Sequence, residues 1–245
     1  MVLRDISFSV RPGELVALVG GSGSGKTTTL KCINRLIEPD RGEIFIQGEP
    51  VRQLPGYELR RRIGYVFQGV GLFPHLSVAE NIGITPQLLG WPAPQIAERV
   101  ATLLDLVELP RNYADRAVSA LSGGQRQRVG VARALAAKPQ IVLMDEPFGA
   151  LDPLTRDTLG RAYRNLHESI GLTSLLVTHD MLEALLLADR ILVLRGGEIV
   201  ADDAPKAMLG DHADDAVRDL FDMPRKQLAR LQDLIDDGAG AAADG

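Results

Sequence analysis

The chain has 245 residues, enough for one large domain or a large domain with a smaller subdomain. Hydrophobic residues make up 45% and aromatics only 4%, so the core is sizeable and aliphatic, which suits a buried parallel sheet. A formal net charge of -5 without a long basic stretch argues against nucleic acid as a partner, and a single cysteine, Cys32, excludes an intrachain disulfide and fits a reducing compartment.

The opening "MVLRDISFSV" has no long apolar region after its charge, so it does not read as a signal peptide. "ISFSV" and "GELVALVG" read as strands separated by an "RPG" turn. "KTTTLKCINRLI" reads as a helix stopped by "EPDRG", and "GEIFIQG" and "RRIGYVFQ" are again strand-like. Residues 77 to 137 are mostly helical by periodicity, with turns at "GWPAP" and "ELPRNYADR". From residue 140 strand and helix alternate: strand "IVLMDE", a helix from about 153 to 170, strand "TSLLVTH", helix "MLEALLLA", and strands "RILVLRG" and "GEIVADD". The pattern predicts an α/β layered fold with a helical insertion. The richest apolar stretch, "MLEALLLADRILVL", is broken by Glu183, Asp189 and Arg190, short of the roughly 20 apolar residues of a spanning helix. The expectation is a soluble, cytoplasmic chain whose membrane work goes through partners. Near the end, Leu228, Leu231 and Ile235 share one helical face, and "GAGAAADG" reads as a disordered tail.

Residues Gly20 to Thr27, "GGSGSGKT", fit G-x-x-x-x-G-K-[ST] between a strand and a helix, the context that pattern requires. The glycines let successive backbone N–H groups curl around an anion without side chains in the way. Gly20, Gly21, Ser22, Gly23, Ser24 and Gly25 form the loop, and the helix starting near Lys26 adds its N-terminal dipole. Lys26 supplies a point charge for the β and γ phosphates, the Thr27 hydroxyl can ligate Mg2+, and Thr28 can contact the phosphates. These residues are expected to hold a nucleoside triphosphate.

"IVLMDE" is an apolar strand ending in Asp145 and Glu146. Adjacent carboxylates at a buried strand end are costly without a task. Asp145 can hold Mg2+ through water, and Glu146 can polarise an attacking water as general base if its surroundings tune its pKa. A third element, "LSGGQRQRVGVARALAAKP", places Leu121, Ser122, Gly123, Gly124 and Gln125 ahead of a helix expected to run to Pro139. Ser122 and the glycines make a second anion-accepting helix start. One nucleotide cannot easily use both starts within one subunit, so a head-to-tail pair is expected, each subunit closing over its partner's nucleotide.

Together these residues resemble the ATP-binding subunits of ABC transporters over essentially the whole chain. "GGSGSGKTT" is similar to the Walker A motif, "LSGGQ" to the signature motif and "IVLMDEP" to Walker B. Gln68 in "YVFQGVGLFPHLSVAENI" is similar to the Q-loop, Asp152 in "GALD" to the D-loop, and His179 in "LLVTHD" to the switch histidine. The resemblance implies a P-loop NTPase fold: a RecA-like, mostly parallel sheet with helices on both faces, an inserted helical signature subdomain and an antiparallel β element near the N-terminus. It implies a core at 1–76 and 140–210, a helical subdomain at about 77–139, a C-terminal extension at about 211–237 and a tail at 238–245. It also implies that Gln68 senses Mg2+ and the water and links the site to the membrane subunits. By the same resemblance, His179 contacts the γ-phosphate and Asp152 bridges a homodimer. His75, His167 and His212 read as structural. ATP and Mg2+ are the implied ligands. Permease subunits and, through them, a substrate-binding protein are the implied partners, with the chain peripheral on the cytoplasmic face of the inner membrane.

Within that family, "KCINRLIEPDRGEIFIQGE", "ELRRRIGYVFQGVGLFPHLSVAENI", "PQLLGWP" and "DEPFGALDPLTRD" resemble ATPases of osmoprotectant importers, which move quaternary amines such as glycine betaine, choline or carnitine. Importers of polar amino acids or methionine are the nearest alternatives, and a cofactor-assembly ATPase a further one. The interval between Lys26 and Asp145 is too short for the coiled coils of ABC repair ATPases. The chain departs from the family pattern in starting at Met1 without an adenine-stacking aromatic on an earlier strand, read as a late start site or shortened chain. After the core only a short helix and tail are read, so gating by a C-terminal regulatory domain of the kind some relatives have is not expected.

Overall fold

The computed structural model describes residues 3–69, 71–210, 214–215, 217–222, 224 and 226. In chain order its elements are β1 (Leu15–Val19), α1 (Lys26–Ile33), β2 (Phe45–Ile46), β3 (Glu49–Pro50), α2 (Gly56–Arg62), β4 (Ile63–Val66), α3 (Val78–Leu88), α4 (Ala93–Leu106) and α5 (Gly123–Leu135). These are followed by β5 (Ile141–Asp145), α6 (Pro153–Ile170), β6 (Thr173–Val177), α7 (Met181–Leu187), β7 (Arg190–Arg195), β8 (Glu198–Asp203) and α8 (Pro205–Met208).

The main sheet runs β4-β5-β6-β1-β7-β8. Every pairing is parallel except β7 with β8. β2 and β3 form a separate antiparallel hairpin. Gln47 (φ 53°) and Gly48 (φ 81°) make its two-residue connection, the backbone a tight hairpin turn demands.

The central strand β1, "LVALV", is wholly buried, as a strand covered on both faces must be. Its side chains alternate between the faces. Val16 and Leu18 join Leu30, Leu59, Tyr65 and Leu143 in one cluster. Ala17 and Val19 pack with Met181, Ala184, Val193, Val217 and Phe221 in another. A third, larger cluster joins Leu15 and β5 to the helices between β4 and β5. There α3 packs on α4 and α5, and α5 also packs on β4. Gly64 permits that last approach: a Cβ on it would lie 2.4 Å from the Ala134 carbonyl oxygen.

The α/β architecture, the N-terminal antiparallel element and most of the elements predicted from residue 140 onward appear as expected. Two local expectations are corrected and one unpredicted helix appears. "ISFSV" is not a strand: Ile6, Phe8 and Val10 are half-buried against the sheet while Ser7 and Ser9 are exposed, so the alternation is real but joins no ladder. The helix expected to reach Pro139 ends at Leu135, where the chain tightens into i→i−3 bonds and Lys138 turns left-handed (φ 52°). Helix α2 escapes sequence reading because only Leu59 of its seven residues is buried. The apolar face of Leu228, Leu231 and Ile235, the tail 238–245 and His212 lie outside the described residues. Among the described residues no helix is long and apolar enough to cross a membrane.

Candidate nucleotide site

β5, β6 and β1 are neighbours and parallel, so their C-terminal ends open on one edge, where open α/β sheets bind ligands. The phosphate-loop candidates leave β1. Gly20 (φ 144°), Gly23 (φ 77°) and Gly25 (φ 108°) adopt backbone that side-chain-bearing residues resist, which is why glycine stands there. Gly21, Ser22 and Gly23 are exposed, whereas Ser24 and Gly25 are buried beneath them. Gly25 caps α1 without a side chain, leaving the helix start open to an anion. The Lys26 ammonium donates to the carbonyls of Gly20 (2.7 Å) and Gly21 (3.0 Å), so it is already folded across the loop mouth. Burial lowers the Lys26 pKa, against the pull of Glu146 and Asp145.

The Thr27 hydroxyl donates to Asp145 Oδ1 at 2.9 Å, bringing together residues from α1 and β5. Asp145 is buried, and desolvation raises its pKa despite that hydrogen bond. A hydroxyl and a carboxylate oxygen are hard donors that suit Mg2+, which keeps several waters and takes phosphate oxygens. Among the described residues no group of three or more His, Cys, Asp or Glu could hold a metal.

Glu146 follows directly and sits in left-handed backbone (φ 51°). Its N–H donates to the Val177 carbonyl at 2.9 Å, and its carbonyl accepts from the Gln127 amide at 3.0 Å. His179 Nδ1 is 3.3 Å from Glu146 Oε1, with the ring two-thirds exposed at 66%. Strained backbone held by neighbours on two elements is a common mark of a functional position. A cleft beside it is lined by Glu146, Gly149, Arg156, Thr178, His179, Asp180 and Glu183. A larger surface cleft lies elsewhere, lined by residues such as Leu54, Ile63 and Ile141 at the opposite ends of β4 and β5, and holds none of these groups.

Thus Lys26, Thr27, Asp145, Glu146 and His179 share one edge. Gln68 is exposed just beyond β4, which leaves the sheet beside β5 with Val66 opposite Met144. No hydrogen bond joins Gln68 to Thr27, Asp145 or Glu146. The signature candidates stand apart. Ser122 caps α5 through a reciprocal box with Gln125, leaving the Gly123 and Gly124 amides at the helix start, and Ser122 and Gly123 are exposed. No hydrogen bond or ion pair joins residues 121–125 to the 20–28 loop. Gly124 instead faces Leu151 and Ala150, just ahead of Asp152. Asp152 caps α6 through Thr155 N–H (3.0 Å), which lowers its pKa.

The sequence profile of the family described as "ABC transporter" matches residues 3–149. The chain belongs to the ABC transporter family. It is 49% identical over 223 residues to the choline transport ATP-binding protein OpuBA of Bacillus subtilis, covering 91% of this chain and 58% of that one. It is 51% identical over 219 residues to the glycine betaine uptake system ATP-binding protein YehX of Escherichia coli, covering 89% of this chain and 71% of that one. The chain thus spans little more than half of OpuBA. Its fold is similar to the dimeric post-hydrolysis structure of the ATP-binding cassette MJ0796 bound to ADP and Pi, with TM-score 0.78 and 35% identity over 83% of this chain and 90% of that chain.

Against the ABC motifs, sequence reading missed three side chains beside the site: Gln127, Arg156 and Glu183. Gln127 and Glu183 leave a faint signal. Each is a polar residue on a buried helical stripe, Gln127 with Val131 and Leu135, Glu183 with Leu187. Arg156 leaves none.

Proposed function

We propose that this chain is an ATP-binding subunit that hydrolyses ATP as a head-to-tail dimer and powers a membrane importer of glycine betaine- or choline-type osmoprotectants. The observation that carries the catalytic part is the convergence on one sheet edge of Lys26, the Thr27–Asp145 pair at 2.9 Å and the Glu146–His179 pair at 3.3 Å. The loop amides and Lys26 bind and orient the triphosphate, with Lys26 exchanging its carbonyl partners for phosphate oxygens. Thr27 and Asp145 would hold Mg2+, which would supply neutralisation of the phosphate charge. Glu146 takes a proton from the attacking water at its carboxylate, and His179 donates toward the γ-phosphate. Catalysis is positioning and charge stabilisation rather than a covalent intermediate. Gln68 joins the site from the loop after β4 and relays its state toward the permease.

The signature residues 121–125 act in trans. The dimeric state named for the similar cassette supports this reading, as does the exposure of Ser122 and Gly123 at the start of α5. In that dimer Asp152 bridges the two copies from the start of α6, which it caps through Thr155. Residues of about 77–139 form the inserted helical subdomain, supported by the mutual packing of α3, α4 and α5. The chain sits on the cytoplasmic face of the membrane through permease subunits, which in turn meet a substrate-binding protein. The names of the choline and glycine betaine relatives support the substrate class.

Deleting the gene and following labelled glycine betaine and choline uptake at high salt tests the proposal. Uptake should fall to background, return with the wild-type gene, and not return with Lys26→Ala. Unchanged uptake in a strain without a redundant importer would overturn the osmoprotectant reading and move the substrate to polar amino acids or methionine.

A further inference from the structure

His179 is held by little of its own packing: the ring is largely exposed and its Nδ1 lies 3.3 Å from Glu146 Oε1. What fixes it is the backbone on either side. Thr178, ahead of it, is buried, and its hydroxyl donates to Glu183 Oε2 (2.9 Å) and accepts from the Asp180 N–H (3.0 Å). Asp180, behind it, caps α7 with one oxygen and accepts from Arg156 at 2.7 Å with the other. Arg156 also donates to the Leu151 carbonyl at 3.2 Å, in the segment between Glu146 and Asp152. One side chain therefore ties the chain after the candidate base to the chain carrying the candidate γ-phosphate donor.

We infer that Glu183 and Arg156 are positioning residues for His179, Glu183 acting through Thr178 and Arg156 through Asp180, so that His179 and the segment after Glu146 move as one unit. This rests on the hydrolysis reading above for its consequence in turnover, but not for the clamp itself.

A clamp made only for stability would be served by an apolar residue at 183. Instead the structure buries a carboxyl there, with Oε1 finding no partner. Burial pushes the Glu183 pKa up to about 7; Asp180 and Glu146 push it the same way, while the Thr178 hydroxyl and Arg156 oppose. Those groups and His179 are the titratable and charged side chains lining the cleft with it. The clamp thus changes charge near neutrality, and the strength of the Thr178 hydrogen bond changes with it.

The test compares wild type with Glu183→Leu, Glu183→Gln and Arg156→Leu, each first checked for cooperative thermal melting. Turnover is read against ATP concentration from about pH 6 to 8.5, a range that brackets the titration. Glu183→Leu and Arg156→Leu should lower kcat about 10-fold with KM for ATP within about twofold, the pattern of lost alignment rather than lost binding. Glu183→Gln still accepts from Thr178 and should restore most of kcat, but lose the inflection near neutrality expected of wild type. Wild-type kcat and pH profile in Glu183→Leu, or an unchanged inflection in Glu183→Gln, would overturn the inference. Amide hydrogen exchange at 178–180 reads the clamp without turnover. It should quicken about 10-fold in both leucine variants while β1 amides stay protected. If wild type showed no turnover the hydrolysis reading would fall, and exchange alone would decide the clamp: unchanged exchange would remove it.

Discussion

Replacing Glu146 by glutamine should cut ATP turnover by at least about 10²-fold, the usual worth of a general base, while leaving ATP affinity within about twofold. The reason is the way the residue is held. Its N–H is fixed to Val177, its carbonyl accepts from Gln127, and its left-handed backbone belongs to the turn that follows β5. None of these contacts uses the carboxylate, so the amide should sit where the acid sat. The groups expected to grip the triphosphate, Lys26 and the loop amides, are anchored on β1 and α1 and are untouched by the change. Stopped turnover with a nucleotide-binding curve like wild type would establish Glu146 as the base. Turnover within about threefold of wild type would assign proton transfer elsewhere, with His179 the next group to test.

The second large effect lies at Gly20. A Cβ built there would stand 2.1 Å from the Leu194 carbonyl oxygen on β7, and the residue's φ of 144° already disfavours a side chain. β1 and β7 are bonded neighbours in the middle of the sheet, so neither backbone can yield cheaply. Overpacking and backbone strain of this kind each cost roughly 1–3 kcal/mol. Gly20→Ala should therefore destabilise by ~3 kcal/mol or more and lower Tm by on the order of 10 °C. Gly21→Ala is the control, since a Cβ there meets nothing within 4 Å. Thermal melting of the two variants side by side checks the prediction. Equal Tm values would mean that β7 moves aside more easily than a packed central strand should.

The contrast between Gly20 and Gly21 also marks how much the sequence could tell. That a glycine-rich loop stands between a strand and a helix was readable, because strand, loop and helix are contiguous and each carries a local signal. The same holds for Asp145 and Glu146 at the end of an apolar strand and for His179 after another: their convergence needs only parallel strands. Which glycine is essential for packing was not readable, because the clash is with Leu194, far along the chain. Gln127 on the Glu146 carbonyl and Arg156 on Asp180 were hidden for the same reason, since each bond spans separate elements. The missed helix α2 and the over-read strand "ISFSV" show the other limit: a short helix with one buried residue has no stripe, and alternation alone does not supply a ladder partner.

The central claim is that residues 121–125 of one copy complete the nucleotide site of another. Light scattering on size-exclusion chromatography of Glu146→Gln, with and without saturating ATP and Mg2+, tests it most directly. The protein should run as a monomer without ATP and as a dimer of twice that mass with it. Adding Ser122→Arg to the same protein should return it to a monomer that still binds ATP, because Ser122 is exposed and outside the 20–28 loop. A Glu146→Gln protein that stays monomeric at saturating ATP, or a dimer indifferent to Ser122→Arg, would contradict the head-to-tail site.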